Sequence, residues 1–434
     1  MNMDADNPNR NRSAFTMVLA GAAIGLLSAF SPGAIVSLLA AAFIILVIKR
    51  TLDVDERSFI AKLFLTGLLV RIILVLVVQA ILINNGSWVS QLGDSATRLF
   101  GDDAYYTLRS WWMAKSYLDE STSEAIKQAA FNPEGVTGYI YIVSLFYYVF
   151  GLSPISWIFI NCIFSTMTGI FYYFIAKEVA DVKAAKITGI LVVFFPSIII
   201  WSIVNLKDSL FIFFTALILW AFIKLINLDK LRFLVILFIA FTMQFFIRPN
   251  LIYVTIVTVF ALGFCYLLVK RKLKMMSILI LTAILLCSFP LFRNGVGYLK
   301  ARIISYHAGV IGTNGFNYRL YEDWVYKTYT DVREIGVIEV VKVVPKALAH
   351  FFLEPFPWKI CSLLSRAALP QMVAWYIFLM FSCIGALIQL GKDWRKNMIF
   401  PLYFISVGTI LALAGGNIGT NFRIRDMLTP IALL

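Results

Sequence analysis

The sequence predicts an all-α, polytopic transmembrane helical bundle, and three observations support this fold class. Of the 434 residues, 60% are hydrophobic and only 14% are charged, whereas soluble domains carry about 25% charged residues. Several apolar runs approach the roughly 20 residues that a helix needs to cross a bilayer. These runs are continuous and do not alternate with polar residues, which excludes an outer-membrane β-barrel.

About twelve apolar stretches are candidates for spanning helices. The first two form a predicted N-terminal hairpin over 14–50, because Ser31-Pro32-Gly33 interrupts the apolar run. The last stretch begins near Met427, at the end of the sequence. Two further stretches, 138–150 and 336–356, are too short or too interrupted to span. The predicted spans are 14–30, 33–48, 60–83, 155–176, 187–204, 210–226, 231–247, 251–269, 276–292, 369–390 and 398–414.

Basic residues set the predicted orientation of these helices. Lys and Arg concentrate in short loops such as 270–274, and short basic loops lie on the cytoplasmic side of a membrane. This places the N-terminus inside and two large loops outside, at 84–137 and 293–368, with short amphipathic helices in them. We predict one integral-membrane domain over 1–434. The net charge of +14 is explained by these loops, so no nucleic-acid partner is expected.

The acidic motif Gly-Asp-Asp-Ala-Tyr-Tyr at 101–106 lies in the first of these loops and is the main candidate for chemistry. Adjacent carboxylates point in different directions, so Asp102 and Asp103 would have different roles. One could accept a proton from a hydroxyl as a general base, and the other could bind a divalent cation or orient an acceptor. A structural alternative is that an Asp caps a helix here. Tyr105 is a candidate substrate contact.

Charged residues also occur at predicted outer ends of spanning helices. Lys207 and Asp208 follow one helix, where they could contact substrate or form an ordinary interfacial ion pair. Arg248 ends another helix, where it could bind a phosphate in bidentate fashion or anchor a lipid headgroup.

The segment 415–426 combines glycines, polar side chains and two arginines, Arg423 and Arg425. On the predicted topology it lies outside, where it suits a phosphate or diphosphate group. Arg71 lies within a predicted span, which is costly unless the side chain is paired or faces a cavity. The sequence does not identify its partner.

These motifs resemble those of the GT-C superfamily of integral-membrane glycosyltransferases. The resemblance is to the bacterial branch similar to protein mannosyltransferases and to the lipid A aminoarabinose transferase, and it covers about 55–434. Asp102 and Asp103 match the family's acidic motif in the first outer loop. The stretch 138–150 and the helix after it match a short helix pair, and Pro196 and Asp208 match a helix that ends near a Pro and is followed by an Asp.

The resemblance implies an enzyme that moves a sugar, with inversion, from a polyprenyl phosphate or diphosphate donor to a glycan, lipid or protein acceptor. The reaction would take place at the periplasmic face of a bacterial inner membrane. Asp102 or Asp103 would act on the acceptor hydroxyl, and Arg248, Arg423 and Arg425 would offset charge on the leaving phosphate. A divalent cation is the one cofactor under consideration.

Two other functions stay open at this stage. A polysaccharide polymerase or ligase would use the same outer arginines and a polymeric acceptor. A transporter or flippase should show inverted repeats and charged or broken helices near the midplane of the membrane. The sequence shows no repeat, and Arg71 is its only candidate for a buried charge.

Overall fold

The computed structural model describes residues 32–84, 101–118, 123–132, 137–228, 232–248, 251, 255–256, 303–304, 307, 318–322, 337–358 and 363–434. This part of the chain forms fifteen helices and no strand, which confirms the all-α fold class. The chain divides into two compact units. The prediction of a single domain over 1–434 stays a prediction.

The first unit comprises Met1–Phe164 and Ser202–Leu206. Within it α1 packs against α2, and α3 packs against both α4 and α5. The short helix α4 begins where the Ser123 side chain accepts a hydrogen bond from the Ile126 N–H, as an N-cap does. The helices of this unit are α1 (Pro32–Thr51), α2 (Val54–Asn84), α3 (Gly101–Tyr117), α4 (Glu124–Phe131), α5 (Gly138–Phe150) and the first part of α6 (Pro154–Val179).

The second unit comprises Ser165–Trp201 and Lys207–Leu434. After the rest of α6 it contains α7 (Val182–Phe194), α8 (Pro196–Ser202) up to Trp201, α9 (Asp208–Leu228), α10 (Arg232–Ile247), α11 (Val337–Leu353), α12 (Leu363–Asn397), α13 (Ile399–Ala414), α14 (Ile418–Arg425) and α15 (Thr429–Ala432). Helix α9 packs against α10, and α11 packs against α13. Gly169 allows α6 to approach α7 closely, because a Cβ there would lie 2.3 Å from Val193 Cγ2.

Five helices in the described ranges are long and apolar enough to cross a membrane. They are α1, Val54–Ile81 of α2, α6, Asp208–Leu225 of α9 and Ala368–Trp394 of α12. They coincide with the predicted stretches 33–48, 60–83, 155–176, 210–226 and 369–390. The stretches 231–247 and 398–414 are also helical, as α10 and α13, each of 16 residues. The stretch 14–30 and most of 251–292 lie outside the described residues.

One predicted span is not a straight helix. The stretch 187–204 is a bent pair, in which α7 and α8 meet at an angle of 49°. Pro196 begins the second helix, and its ring and missing N–H interrupt a regular helix. If this pair is one span, the described part of the chain contains six candidate spans.

Two segments that the sequence suggests as loops are helical. The acidic motif forms the start of α3, where first-turn carboxylates are stabilised by the helix dipole. Most of the segment 415–426 forms α14, because the Asn417 side chain accepts a hydrogen bond from the Thr420 N–H at 3.0 Å and caps the helix. From Met427 onward, the described chain forms the short helix α15, and the span that the sequence predicts to begin there stays a prediction.

Candidate active site

Helix α3 carries the acidic motif, and its two carboxylates lie on different sides of the helix. Asp103 is only 4% exposed, whereas Asp102 is exposed. Asp103 starts a buried polar face that continues with Thr107 and Ser110, at the i, i+4, i+7 spacing of one helix side. The two carboxylates therefore have different environments, as their adjacency in the sequence predicts.

The carboxylate of Asp103 is held by the non-helical stretch after α8. Its Oδ1 accepts a hydrogen bond from the backbone N–H of Asn205 at 3.0 Å. The Asn205 side chain donates to Thr107 Oγ1 at 2.7 Å and accepts from the Tyr139 hydroxyl at 2.5 Å. All four residues are buried. In a low-dielectric interior such a network fixes the orientation of its members.

Tyr139 connects this network to α6. Its hydroxyl accepts hydrogen bonds from Trp157 Nε1 at 2.9 Å and from Asn161 Nδ2 at 3.3 Å. Asn161 Nδ2 also lies within donating distance of the carbonyls of Val204, at 3.1 Å, and Leu206, at 3.2 Å. Burial raises the pKa of Tyr139 well above its ordinary value. The hydroxyl therefore stays protonated and can donate to Asn205.

Arg71, the buried charge that the sequence singles out, also belongs to the first unit. It is fully buried in α2. Its Nε donates to Ser202 Oγ at 3.1 Å, and its Nη1 donates to the Gly67 carbonyl at 3.1 Å. These bonds supply polar partners that a guanidinium inside a membrane helix requires.

In the second unit, two predicted site residues, Arg248 and Arg423, contact a third, Asp208. Its Oδ1 accepts a hydrogen bond from Arg248 Nη2 at 2.7 Å, and its Oδ2 lies 3.5 Å from Arg423 Nε. The Asp208 side chain is 1% exposed, and the two arginines are 16% and 15% exposed. Asp208 begins α9, Arg248 directly follows α10 and Arg423 lies in α14. The fold thus joins positions that are far apart in the sequence.

Three cationic residues accompany the carboxylate of Asp208. Lys207 precedes Asp208 in the sequence, so three cationic residues accompany one carboxylate. The buried Nε of Arg248 has no hydrogen-bond acceptor among the described residues. A phosphate group would supply an acceptor for that nitrogen.

Arg425, two residues after Arg423, has different surroundings. It is 1% exposed, and its Nη1 donates to the carbonyls of Phe352, at 3.2 Å, and Glu354, at 2.9 Å. Its guanidinium carbon lies 5.0 Å from the ring centre of Trp375. Burial lowers its pKa to about 10, which leaves it charged at neutral pH. This geometry favours a structural role, and only Arg423 of the predicted pair accompanies Asp208.

The turn that leads into α14 is fixed by close contacts. A Cβ at Gly415 would lie 2.0 Å from Asn421 Oδ1, so this position requires glycine. Asn421 Nδ2 donates to the Tyr318 hydroxyl at 2.6 Å, and His307 Nδ1 donates to the carbonyl of Gly415. Burial lowers the pKa of His307 to about 4, so the imidazole is neutral at pH 7.

No group of three or more His, Cys, Asp or Glu side chains is arranged to hold a metal ion in the ranges that the structure describes. Asp102 and Asp103 face different sides of α3, so they do not form a chelating pair. The divalent cation considered for this motif stays a prediction.

Sequence reasoning missed the residues that support Asp103. Tyr139, Asn161 and Asn205 were not selected as site residues, although all three are fully buried polar groups. Asn161 carried a usable signal, because polar side chains within membrane spans are rare and face the bundle interior. Tyr139 and Asn205 carried no such signal in the sequence, because their hydrogen bond to each other depends on the tertiary structure.

Together with the all-α fold, a family match to part of the chain supports a membrane glycosyltransferase of the GT-C type. Residues 137–292 match the model of the dolichyl-phosphate-mannose-protein mannosyltransferase family, which belongs to the GT-C superfamily. The matched range contains Asn205, Asp208 and Arg248. It confirms the resemblance drawn from the sequence. No curated protein and no solved structure matches the chain.

Proposed function

We propose that this protein transfers a sugar from a polyprenyl phosphate or diphosphate donor to an acceptor hydroxyl. The reaction would occur at the periplasmic face of a bacterial inner membrane. The observation that carries the proposal is the acidic motif at the start of α3, where an exposed Asp102 stands next to a buried and hydrogen-bonded Asp103.

Asp102 is the residue that we assign as general base. A base must lie within hydrogen-bond reach of the hydroxyl whose proton it accepts, and only Asp102 of the pair is exposed. Asp103 is buried, and its Oδ1 accepts the Asn205 N–H. Asp103 would therefore fix the first turn of α3 and, through it, the position of Asp102.

The reaction would be a single displacement. The acceptor oxygen attacks the anomeric carbon and forms the new glycosidic bond, while the bond from that carbon to the lipid phosphate oxygen breaks. The acceptor proton passes to Asp102, and the electron pair of the broken bond stays on the phosphate. Attack opposite to the leaving group inverts the anomeric configuration.

The lipid phosphate would bind to the cationic residues around Asp208. Arg248 and Arg423 have planar guanidinium groups that suit phosphate oxygens, and Lys207 adds a third positive charge. These groups would offset the negative charge that develops on the leaving phosphate. The Asp208 carboxylate, between the two arginines, would hold them in position.

The base assignment can be tested with purified full-length protein supplied with polyprenyl-linked sugar. Asp102→Asn removes the basic oxygen and keeps the shape, so kcat should fall by about 10²- to 10⁴-fold without a change in melting temperature. Asp103→Asn should retain more activity and lower the melting temperature, because Asp103 is the buried partner of Asn205. Full activity in Asp102→Asn would contradict the base role.

The same preparation separates this proposal from its alternatives. A polymerase would add sugars repeatedly to a growing chain. A transporter would move lipid-linked sugar across the bilayer of sealed vesicles without forming a glycosidic bond. Movement of lipid-linked sugar without formation of a glycosidic bond would contradict the transferase proposal and favour a transporter.

A further inference from the structure

A cavity of about 330 Å³ lies between α3 and α4 in the first unit. Both helices lie in the predicted outer loop 84–137, and they pack against each other. The cavity is lined by two aromatic residues, a guanidinium, an amide and two apolar residues: Tyr105, Leu108, Arg109, Trp112, Ala129 and Asn132.

The cavity and the exposed carboxylate share one side of α3. Asp102, Tyr105, Arg109 and Trp112 follow one another at i, i+3, i+7 and i+10, a spacing that returns to the same side of a helix. The buried polar face that begins with Asp103 lies on another side. The residue assigned as general base therefore stands at the end of the row that lines the cavity.

Arg109 connects the two helices that line this cavity. It is 4% exposed, and its Nε donates to the Ala130 carbonyl at 3.1 Å. It also donates to the Asn132 carbonyl and to the Tyr105 hydroxyl. Its hydrogen bonds thus tie the end of α4 to α3, and its guanidinium carbon lies 5.4 Å from the centre of the Tyr105 ring. The Tyr105 ring is held in place, yet 41% of this residue's surface stays exposed.

This lining suits a sugar ring. Aromatic side chains offer a flat apolar face with a polar edge, which matches the C–H face of a pyranose, and binding sites combine such faces with a few placed polar groups. We propose that this cavity binds a sugar ring of the acceptor, so that the hydroxyl presented to Asp102 belongs to a glycan. This inference rests on the proposed function, because Asp102 would receive the proton of that hydroxyl.

The two tryptophans of α3 provide a matched pair for the test. Trp112 lines the cavity. Trp111, its neighbour, is also partly buried, but it lies under Lys115, whose Nζ is 5.0 Å from its ring centre. Trp111→Ala therefore removes an indole ring outside the cavity.

The experiment is binding of detergent-purified, full-length protein to an array of immobilised glycans and Ser/Thr-containing peptides, without sugar donor. Wild type and Trp111→Ala should bind the same glycans, and Trp112→Ala should bind them about tenfold more weakly. Equal weakening in both variants, or no glycan binding by the wild type, would overturn the proposal. Peptide binding that depends on Trp112 would also overturn it, in favour of a protein acceptor.

A second pair of variants guards against a folding defect. Tyr105→Phe keeps the ring and loses the bond from Arg109, so glycan binding should weaken less than in Tyr105→Ala. Tyr105→Ala removes the ring and should weaken binding about tenfold at a preserved melting temperature. Equal binding by the Phe and Ala variants would contradict the stacking role.

Because this binding assay contains no donor, it does not depend on transfer. Loss of transfer in Asp102→Asn with glycan binding retained would support both proposals. Glycan binding that depends on Trp112, together with full transfer in Asp102→Asn, would preserve the glycan site and contradict the base role. Absence of glycan binding would leave the transferase proposal intact and remove the glycan acceptor.

Discussion

Asp103 and Asp208 are both buried carboxylates in the first turn of a helix, but the groups that orient them differ. Asp103 accepts a hydrogen bond from the neutral backbone N–H of Asn205, and the Asn205 side chain is hydrogen-bonded to a hydroxyl and a phenol. Asp208 lies at ion-pair distance from two guanidinium groups, at 2.7 Å and 3.5 Å. The hydrogen bond from Asn205 to Asp103 thus comes from a neutral group, whereas both of these contacts of Asp208 are with charged groups.

The difference shows what each unit can offer to a substrate. A hydrogen bond from an amide fixes direction and adds no counter-charge, whereas a guanidinium fixes direction and adds positive charge. The network of the first unit therefore suits the placement of a base, and the group around Asp208 suits an anion. Substitutions should also lower the free energy of unfolding by different amounts. The loss is about 1–3 kcal/mol when a neutral group is left without its hydrogen-bond partner, and about 3–5 kcal/mol when a buried ion loses its partner.

The largest expected effect comes from Asp208→Asn. This change leaves Arg248 and Arg423 without the carboxylate between them, so we expect a loss of about 3–5 kcal/mol in the free energy of unfolding. Thermal melting of the purified protein would measure it. The double variant Asp208→Asn, Arg248→Gln should recover part of the loss, because one of the two guanidinium groups that faced the carboxylate is gone. A melting temperature equal to that of the wild type would show that charge does not hold this cluster together.

Acidification should act through His307, which belongs to the second unit, as does the chain's other histidine, His350. The folded pKa of His307, about 4, lies below the ordinary value of about 6.5, so the unfolded chain binds the extra proton first. The contribution of neutral His307 to the free energy of unfolding is therefore fully present above about pH 6.5. It is lost as the pH falls toward 4, and the loss is up to about 3 kcal/mol.

The measurement is the melting temperature between pH 7 and pH 4.5 for the wild type and His307→Asn, which keeps a donor near the Gly415 carbonyl. The difference between the two curves isolates the histidine from the carboxylates, which also titrate in this range. The wild type should lose more stability than the variant. Parallel curves would show that His307 is not buried in its neutral form.

The smallest effect on stability should come from Asn205→Ala. The backbone N–H that binds Asp103 remains, but Thr107 and Tyr139 lose their side-chain partner, which costs about 1–3 kcal/mol. We expect kcat to fall more than the acceptor KM changes, because Asp103 would be less well fixed. The control is Asn227→Ala, since Asn227 is exposed and donates to Glu178 at 2.9 Å. Equal effects of the two substitutions on kcat would contradict the positioning role of Asn205.

Hydropathy predicted the spanning helices well, because the length and continuity of an apolar run are properties of the sequence alone. The start of α3 was harder to recognise, since a short segment with charges has no clear periodic pattern. The arginines of α14 show a second limit. A spacing of two residues suggests a shared phosphate site in a loop, but on a helix it sends Arg423 and Arg425 to different sides.

From the sequence, only charged residues were predicted to lie close together in the folded protein. Asp208, Arg248 and Arg423 were selected from the sequence because each is ionisable at the end of an apolar run. Asn205 and Tyr139 are neutral, and their importance depends on which groups they contact. A cluster of this kind is visible only after the chain has folded.

The early end of α8 has a consequence for the chemistry of Asp103. In a continuous helix the amide of Asn205 would be occupied by the carbonyl four residues earlier, like every other interior amide. Since the helix ends at Ser202, this N–H is released from the ladder and becomes a ligand for a carboxylate on another helix. The carbonyls exposed by the same interruption are met by Asn161. The interruption of regular structure at Ser202 has thereby made a main-chain N–H available to hold a carboxylate on another helix.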